Sequence, residues 1–457
     1  MTYTLCIIGF GISGIVTSKY AKENNINYIV LEKEASYGGV WRDNQFNSTL
    51  QTPKYYYQFS DYPMPNHYPE YPNKQFILEY LQNYITYYEL DLKNRVHFSS
   101  KVVACRYIIS KRKWEIQYII SNNNVNNIRI IYSDYLCICS GYFSSIRHSN
   151  ELQNYTGILL NSQNFSFKYI IPQNVGLNGL NRMKKNLLVI GNGASANDFF
   201  TYLNNKNNVK KENNEKSLDL YNKINIDILI KKDKFYITRY VGNSLIGHIS
   251  TAIVVCKGLV KVGELIPQWL FYLVMKIVSI VVFKNNFSLP REKFKYNNLV
   301  VSNCIPELME RNLITPIRDT IEKCERTYIF FKNRMFRKYD IIMNCSGYMK
   351  TIDFLSPKVA DNDTLECYNY IINSDYKNCG FIGYAPSYNW LKVSEIQAQY
   401  FIYIILGKIE YPSDADIETF VEKNKPKDTF NFNDLTYKSF NYIEKMNRII
   451  KELKNKY

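Results

Sequence analysis

A short apolar run, Leu5-Cys-Ile-Ile8, opens onto Gly9-Phe-Gly11-Ile-Ser-Gly14, and 182 residues later (Gly9 to Gly191) the pattern returns. Leu187-Leu-Val-Ile190 opens onto Gly191-Asn-Gly193-Ala-Ser195-Ala196. Each turn is followed by a helical stretch, from Ile15 to about Asn24 in the first copy and from Asn197 to Leu203 in the second. In the first copy a further strand, Tyr28-Ile-Val-Leu31, ends in Glu32. Strand, glycine turn, helix, strand and acid in that order describe a βαβ nucleotide-binding unit. Two such units predict an α/β chain with two Rossmann-like, three-layer dinucleotide-binding domains.

The spacing of the glycines has a physical reading. Gly9 permits the tight turn, Gly11 lets backbone approach a pyrophosphate, and Gly14 lets the helix pack on the strand. The helix N-terminus then presents unpaired N–H groups and a favourable dipole to phosphate. A glycine-rich turn alone is a weak signal, since it can be only a turn. Glu32 strengthens it, because a carboxylate at the end of the second strand can accept from both ribose hydroxyls. The alternative, a solvated acid in Glu32-Lys-Glu34, leaves the alignment of all three elements unexplained. In the second copy Ala196 in place of the third glycine still allows close packing, and the Ser195 hydroxyl can reach a phosphate near the helix start.

Over 457 residues, 57 Lys and Arg against 41 Asp and Glu leave +16, which raises nucleic acid as a partner. Length alone predicts about three domains' worth of chain. Hydrophobic content of 46% with 21% charged residues excludes wholesale disorder and a polytopic membrane protein. The 41 Tyr and 25 Phe, beside many Asn, Ile and Lys, match the codon drift of an AT-rich genome. Polar runs at Asn122 to Asn127 and Asn204 to Lys216 read as solvated loop insertions, and the second absorbs part of the charge. Cofactor phosphates give the helix N-termini and Arg239 a local use, and most of the excess is compositional background, so no nucleic-acid partner is expected.

Ten cysteines without a C-x-x-C pair point to a reduced protein, with Cys137 and Cys139 as strand residues. Met1-Thr-Tyr-Thr leads straight into the first strand without a signal-peptide pattern, so a cytoplasmic location is expected. The apolar segment Leu265 to Phe283 contributes roughly −5 kcal/mol towards membrane insertion, and Lys276 alone returns about +3. A buried or lid-forming helix is therefore preferred there, with attachment to a membrane surface the minor alternative. Near the C-terminus, Phe440, Ile443, Met446, Ile449, Ile450 and Leu453 form one apolar stripe on a basic helix, predicted to pack on its domain. The four histidines, His67, His97, His148 and His248, lack ligand spacing, so no metal site is expected.

Further residues carry a family resemblance. After the first unit comes Gly38-Gly39-Val40-Trp41, then Leu50-Gln-Thr-Pro53, Phe59-Ser-Asp-Tyr-Pro-Met-Pro65, Tyr68-Pro, Tyr71-Pro and Gln75…Leu78-Glu-Tyr-Leu81. This order resembles the flavin-containing monooxygenases, a branch of the class B flavoprotein monooxygenases, and its Q-T-P variant is similar to the plant-type members. Tyr155-Thr-Gly157-Ile-Leu-Leu-Asn161-Ser-Gln-Asn-Phe165 is similar to the family fingerprint F-x-G-x-x-x-H-x-x-x-[F/Y], with Asn161 where the family has His. Phe165 at the last position leans away from the Baeyer–Villiger relatives. The paired linkers Cys139-Ser-Gly141-Tyr and Cys345-Ser-Gly347-Tyr348 resemble the family's A-T-G-[F/Y].

The resemblance implies an FAD- and NADPH-dependent monooxygenase. It would insert one oxygen atom of O2 into a soft nitrogen or sulfur nucleophile through a C4a-hydroperoxyflavin, as in N,N-dimethylaniline monooxygenase activity. An FAD domain would comprise residues 1–165 and 331–457, and an NADPH domain 166–330 with the apolar helix 265–283 inserted. FAD contacts are implied at Gly9, Gly11, Ile12, Ser13, Gly14, Glu32, Lys33, Gly39, Val40, Trp41, Thr52, Val103 and Gln397. NADPH contacts are implied at Gly191, Gly193, Ser195, Ala196, Asp198 and Arg239, the last facing the 2′-phosphate with its bidentate guanidinium. Gln51 and Asn161 are the implied catalytic side chains. If the family's His acts as a hydrogen-bonding hinge, Asn161 preserves activity. If its charge must change, NADPH oxidation uncouples and releases H2O2. A third alternative is a catalytically weak dinucleotide fold that binds an anionic surface. The partners expected are thus a small nucleophilic substrate and O2.

Overall fold

The computed structural model describes residues 2–44, 46, 48–120, 128–141, 145–147, 149–170, 184–212, 221, 224–232, 234–237, 240–241, 249–250, 299–301, 304–349, 351–357, 367–385, 387, 389–424 and 442–452. These fall into two compact units. One comprises residues 1–42, 52–145 and 348–457, the other residues 43–51 and 146–347.

In the first unit, β1 (Thr2–Ile8) leads through the glycine turn into α1 (Ile12–Glu23) and then β2 (Tyr28–Leu31). β1 is the parallel neighbour of β2 on one side, with Ile8 opposite Leu31, and of Ile128–Ile138 on the other. The strands Ser100–Ile108, Lys113–Ile120 and Ile128–Ile138 form an antiparallel meander, and Cys379–Phe381 pairs parallel with the last. Cys6, Ile8, Ile29, Leu31, Trp114, Ile116, Ile138 and Phe381 make the core of this sheet.

The second unit is a five-stranded, all-parallel sheet. Its order is Thr315–Ile317, β4 (Ile224–Leu229), β3 (Lys185–Ile190), Ile341–Asn344 and Ile158–Leu160. Alternate residues of β3 point to separate cores. Leu187 and Val189 meet Phe199, Phe200 and Leu203, whereas Leu188 and Ile190 meet Phe331, Tyr339 and Ile342. A parallel sheet covered on both faces is the expected three-layer arrangement.

Two expectations change. The breaks fall at 145/146 and 347/348, not at 165/166 and 330/331, because Ile158–Leu160 and Ile341–Asn344 are strands of the second sheet. The polar run from Asn204 is also no loop at its start: α2 (Ala194–Glu212) extends into it. Once the glycine turn has nucleated a helix, extension costs little, and Asn204 is held by Tyr221 Oη at 2.6 Å. The run Asn122–Asn127, the segment Leu265–Phe283, Phe440 and Leu453 lie outside the described residues. Within 442–452, Met446 and Ile450 are buried, as the stripe predicts. Among the described residues no helix is long and apolar enough to cross a membrane, no acid, His or Cys cluster could hold a metal, and every cysteine is a free thiol.

Candidate cofactor and active site

The first glycine turn is shaped by backbone approach. Gly9 adopts φ +100°, and a Cβ there would lie 2.6 Å from the Cys139 carbonyl oxygen. On Gly14 a Cβ would lie 1.9 Å from the Gly9 carbonyl oxygen, so only glycine fits. α1 begins at Gly11 without a side-chain cap, and the first helical bond runs from Ile15 N to Gly11 O at 3.0 Å. The N–H groups of Ile12, Ser13 and Gly14 thus start a helix of twelve residues with no carbonyl of the preceding turn to receive them. Gly39, at φ +53°, brings the Gly-Gly-Val-Trp loop against this turn, where a Cβ would lie 3.3 Å from Gly11 Cα.

Glu32 is buried, 5% exposed, and each carboxylate oxygen accepts one backbone N–H: Phe10 N at 2.6 Å and Glu34 N at 2.8 Å. Burial pushes its carboxyl above the ordinary value, and the Glu34 and Phe10 N–H groups work in the opposite direction. Lone pairs remain on both oxygens for further donors. The neighbouring Lys33 is exposed and pairs with Glu34 at 3.4 Å. Val103 sits at a register shift between Val102 and Ala104, the bulge taking it out of the ladder.

Val40 and Trp41 begin the short helix Val40–Asp43, and the Trp41 indole donates to Tyr57 Oη at 3.1 Å. Ser13 Oγ lies 3.0 Å from Ser394 Oγ on α3 (Trp390–Ile405), which joins the two helix starts. Gln397 on the same helix is fully buried. Its amide oxygen accepts from Gly383 N at 2.8 Å, and its nitrogen donates to Tyr370 O and Tyr442 Oη, each at 3.2 Å. With both N–H groups occupied, Gln397 holds the Gly383 loop rather than reaching outwards. Thr52 belongs to the first unit and Gln51 clusters with the second; both are half-buried.

The second turn repeats the first in its opening contacts. Gly191 has φ +98°, and its Cβ would lie 2.6 Å from the Cys345 carbonyl oxygen. Gly191 N donates to Leu229 O as Gly9 N donates to Leu31 O, and Cys345 N donates to Ile190 O as Cys139 N donates to Ile8 O. A Cβ on Gly193 would meet open space, while Ala196 is fully buried. Ser195 and Asp198 are half-buried in the first turn of α2. Arg239 lies outside the described residues.

Asn161 follows strand Ile158–Leu160. Its side-chain oxygen accepts from Gln163 N at 2.9 Å and Asn164 N at 3.1 Å, so it closes a local turn. Phe165 packs on Phe46 and Phe199 in the core.

Sequence reasoning missed three features. Where the first unit has Glu32 after β2, the second has Ile230 and then exposed Lys231 and Lys232 after β4. Asn192 in the glycine turn donates to Lys232 O at 3.2 Å, tying that basic end to the turn. Burial, and then the Lys232 charge, lower the ammonium of nearby Lys234. Lys54 is buried and donates to the carbonyls of Pro65, Asn66 and Tyr68, which organises the proline-rich stretch. Glu395 is 2% exposed and accepts from Ser60 N, Ser60 Oγ and Tyr20 Oη, with Lys392 Nζ at 3.3 Å.

The residues fit a bound dinucleotide in the first unit: a glycine cradle that a Cβ would fill, an uncapped helix start and a buried acid with spare acceptors. Comparisons with known proteins agree. A sequence profile described as flavin-binding monooxygenase-like matches residues 3–211. The rabbit (Oryctolagus cuniculus) dimethylaniline monooxygenase [N-oxide-forming] 2 is 23% identical over 99% of this chain and 83% of its own length. The probable indole-3-pyruvate monooxygenase YUCCA8 of Arabidopsis thaliana is 30% identical over 24% of this chain and 25% of its own. A crystal structure of OTEMO in complex with FAD and NADP superposes with a TM-score of 0.66 at 14% identity, over 92% of this chain and 90% of that one. Profile and full-length similarity point the same way: the chain is similar to the flavin-containing monooxygenases in sequence, and it shares the fold of the OTEMO structure.

Proposed function

We propose that the chain is an FAD- and NADPH-dependent monooxygenase that transfers one oxygen atom of O2 to a soft nitrogen or sulfur nucleophile. The observation that carries this reading is the paired glycine turn, followed by an acid in the first unit and by lysines in the second. The first suits the ribose hydroxyls of FAD, the second the 2′-phosphate that distinguishes NADPH. The OTEMO neighbour, solved with FAD and NADP, and the N-oxide-forming name of the rabbit relative support the same assignment. Bound flavin, reduced by NADPH, supplies the oxygen activation.

The chain's own residues bind and orient. Glu32 accepts from the ribose, and the N–H groups of Ile12, Ser13 and Gly14 face the pyrophosphate. Gly11 and Gly39 admit it at backbone distance, and the unpaired Val103 backbone offers itself to the adenine. Trp41, fixed by Tyr57, is a wall that excludes water. Ser195 and the start of α2 receive the second pyrophosphate, with Lys231 and Lys232 in reach of the 2′-phosphate and Arg239 as a further cation. Gln51 is assigned the hydrogen bond beside the reacting ring.

Flavin-loaded protein tested with amines and thioethers, following NADPH, oxygenated product and peroxide together, decides the matter. Protein that purifies without a yellow flavin spectrum sinks the assignment. A second reading, an NADPH oxidase releasing H2O2, is favoured by Asn161, which cannot titrate and whose carbonyl is committed to its own turn. Peroxide equal to NADPH consumed, whatever the amine or sulfide added, would establish it.

A further inference from the structure

Away from the glycine turn, the second unit carries a three-stranded antiparallel meander of β5 (Ile321–Glu325), β6 (Tyr328–Phe331) and β7 (Phe336–Lys338). Burial alternates along β6: Ile329 and Phe331 face the core with Ile321 and Cys324, and Tyr328 and Phe330 face away. The register places Phe336 opposite Phe330 and Lys338 opposite Tyr328 on that outer face. The Phe330 and Phe336 rings stack with centroids 5.5 Å apart, and Tyr328 lies 6.2 Å from Phe336. Phe336 is 59% exposed, Tyr328 43%, and Met335 in the connecting turn 40%.

From Arg326 to Tyr339 the chain holds five cations, Arg326, Lys332, Arg334, Arg337 and Lys338, and no carboxylate. Arg337 turns to the other face and pairs with Asp227 at 2.8 Å. On β5, Lys323 and Glu325 stand opposite Phe330 and Tyr328 and pair with each other at 2.6 Å, Glu322 is the further exposed acid of that strand, and Asp319 accepts from Asn333 N at 3.1 Å. The outer face of β6 and β7 and the turn between them are therefore apolar and positive together.

That combination selects among occupants. A free phosphate has no use for Phe336 and Met335. A nucleic acid would need open ring faces, yet Phe330 and Phe336 cover each other. Two copies paired through this face would set their cations against one another. An anionic bilayer answers both features, since aromatic and methionine side chains enter the boundary between headgroups and acyl chains while Lys and Arg meet the lipid charge. We propose that this meander, through Tyr328, Lys332, Arg334, Met335, Phe336 and Lys338, docks the protein on membrane surfaces carrying anionic lipid.

The test is co-sedimentation of the flavin-loaded full chain with phosphatidylcholine vesicles, with and without phosphatidylserine. Binding is expected only with phosphatidylserine and is expected to fall as salt rises. Lys332→Glu and Arg334→Asn should each lower partitioning about fivefold or more, and Met335→Ser with Phe336→Ser about tenfold or more. Asn is chosen at Arg334 because its backbone is left-handed, φ +68°. Met335→Trp should shift its emission to the blue on adding the phosphatidylserine vesicles, which reports insertion even if another variant folds poorly. NADPH turnover should be unchanged in all of them. Equal binding to both vesicle types, no binding, or binding indifferent to these substitutions overturns the proposal. So does salt-sensitive RNA binding, or a dimer dissolved by Phe336→Ser, without vesicle binding.

Discussion

The two glycine turns share their backbone to within a few tenths of an ångström in the contacts that define them, yet they differ at two places. The third glycine is Gly14 in one and Ala196 in the other, and the residue after the second strand is Glu32 in one and Ile230, before Lys231, in the other. The first difference concerns space: Gly14 has none for a methyl group, whereas Ala196 is accommodated in the core. The second concerns charge, an acceptor against donors. In the proposed assignment one backbone solution serves two ligands, and the strand ends set the chemistry beyond the pyrophosphate.

The sharpest break of that comparison exchanges the third positions. Gly14→Ala puts a methyl 1.9 Å from a carbonyl oxygen inside the fold, which costs about 3 kcal/mol or more and should yield insoluble or flavin-free protein. Ala196→Gly should cost only about 1 kcal/mol and leave the flavin spectrum intact. Equal effects in thermal denaturation would show that the two turns are not distinguished by space.

Charge is the next test. Glu32→Gln removes one acceptor from buried donors and should weaken flavin retention by about 2 kcal/mol, roughly thirtyfold. Because burial raises the Glu32 carboxyl, the ionised form proposed to accept from ribose is lost at a higher pH than for an ordinary glutamate. Flavin retention in the parent protein should therefore fall as pH drops through a window beginning above the usual carboxylate range. Glu32→Gln should abolish that step, measured by flavin released on ultrafiltration. In the second unit, Lys231→Ala with Lys232→Ala should raise KM for NADPH about tenfold and leave KM for NADH unchanged. A common rise for both nucleotides would place the lysines away from the 2′-phosphate.

What could be read in advance follows the distance over which each feature acts. The turns, Glu32 and the strands beside them were legible because the spacing of glycines, helix and acid lies within one βαβ unit, although the Cys139 and Cys345 carbonyls that close on the turns do not, and the strand Tyr28–Leu31 has the bounds expected. Ser13 with Ser394, Glu395 with Ser60, and the three carbonyls around Lys54 join positions whose pairing no local pattern announces. Lys231 was hidden for a different reason. α2 runs to Glu212 instead of stopping near Leu203, so the distance from glycine turn to strand end differs between the copies and only strand register aligns Ile230 with Glu32. The resemblance puts the 2′-phosphate contact at Arg239, further along the chain.

Asn161 supplies the smallest effect and separates a turn from a catalytic group. Its oxygen accepts two backbone N–H groups, so Asn161→Ala should cost about 1 kcal/mol of stability, comparable to losing a helix cap. Asn161→Asp keeps the acceptor and should restore most of it. If the residue only closes the turn after strand Ile158–Leu160, both variants leave the ratio of peroxide to NADPH as it is in the parent. If its amide also governs coupling, the ratio rises in both, including Asn161→Asp where stability is retained. A ratio that follows stability instead, rising in Ala and recovering in Asp, would assign the effect to the position of the loop and not to the amide nitrogen, since carboxylate and amide share the acceptor but only the amide can donate.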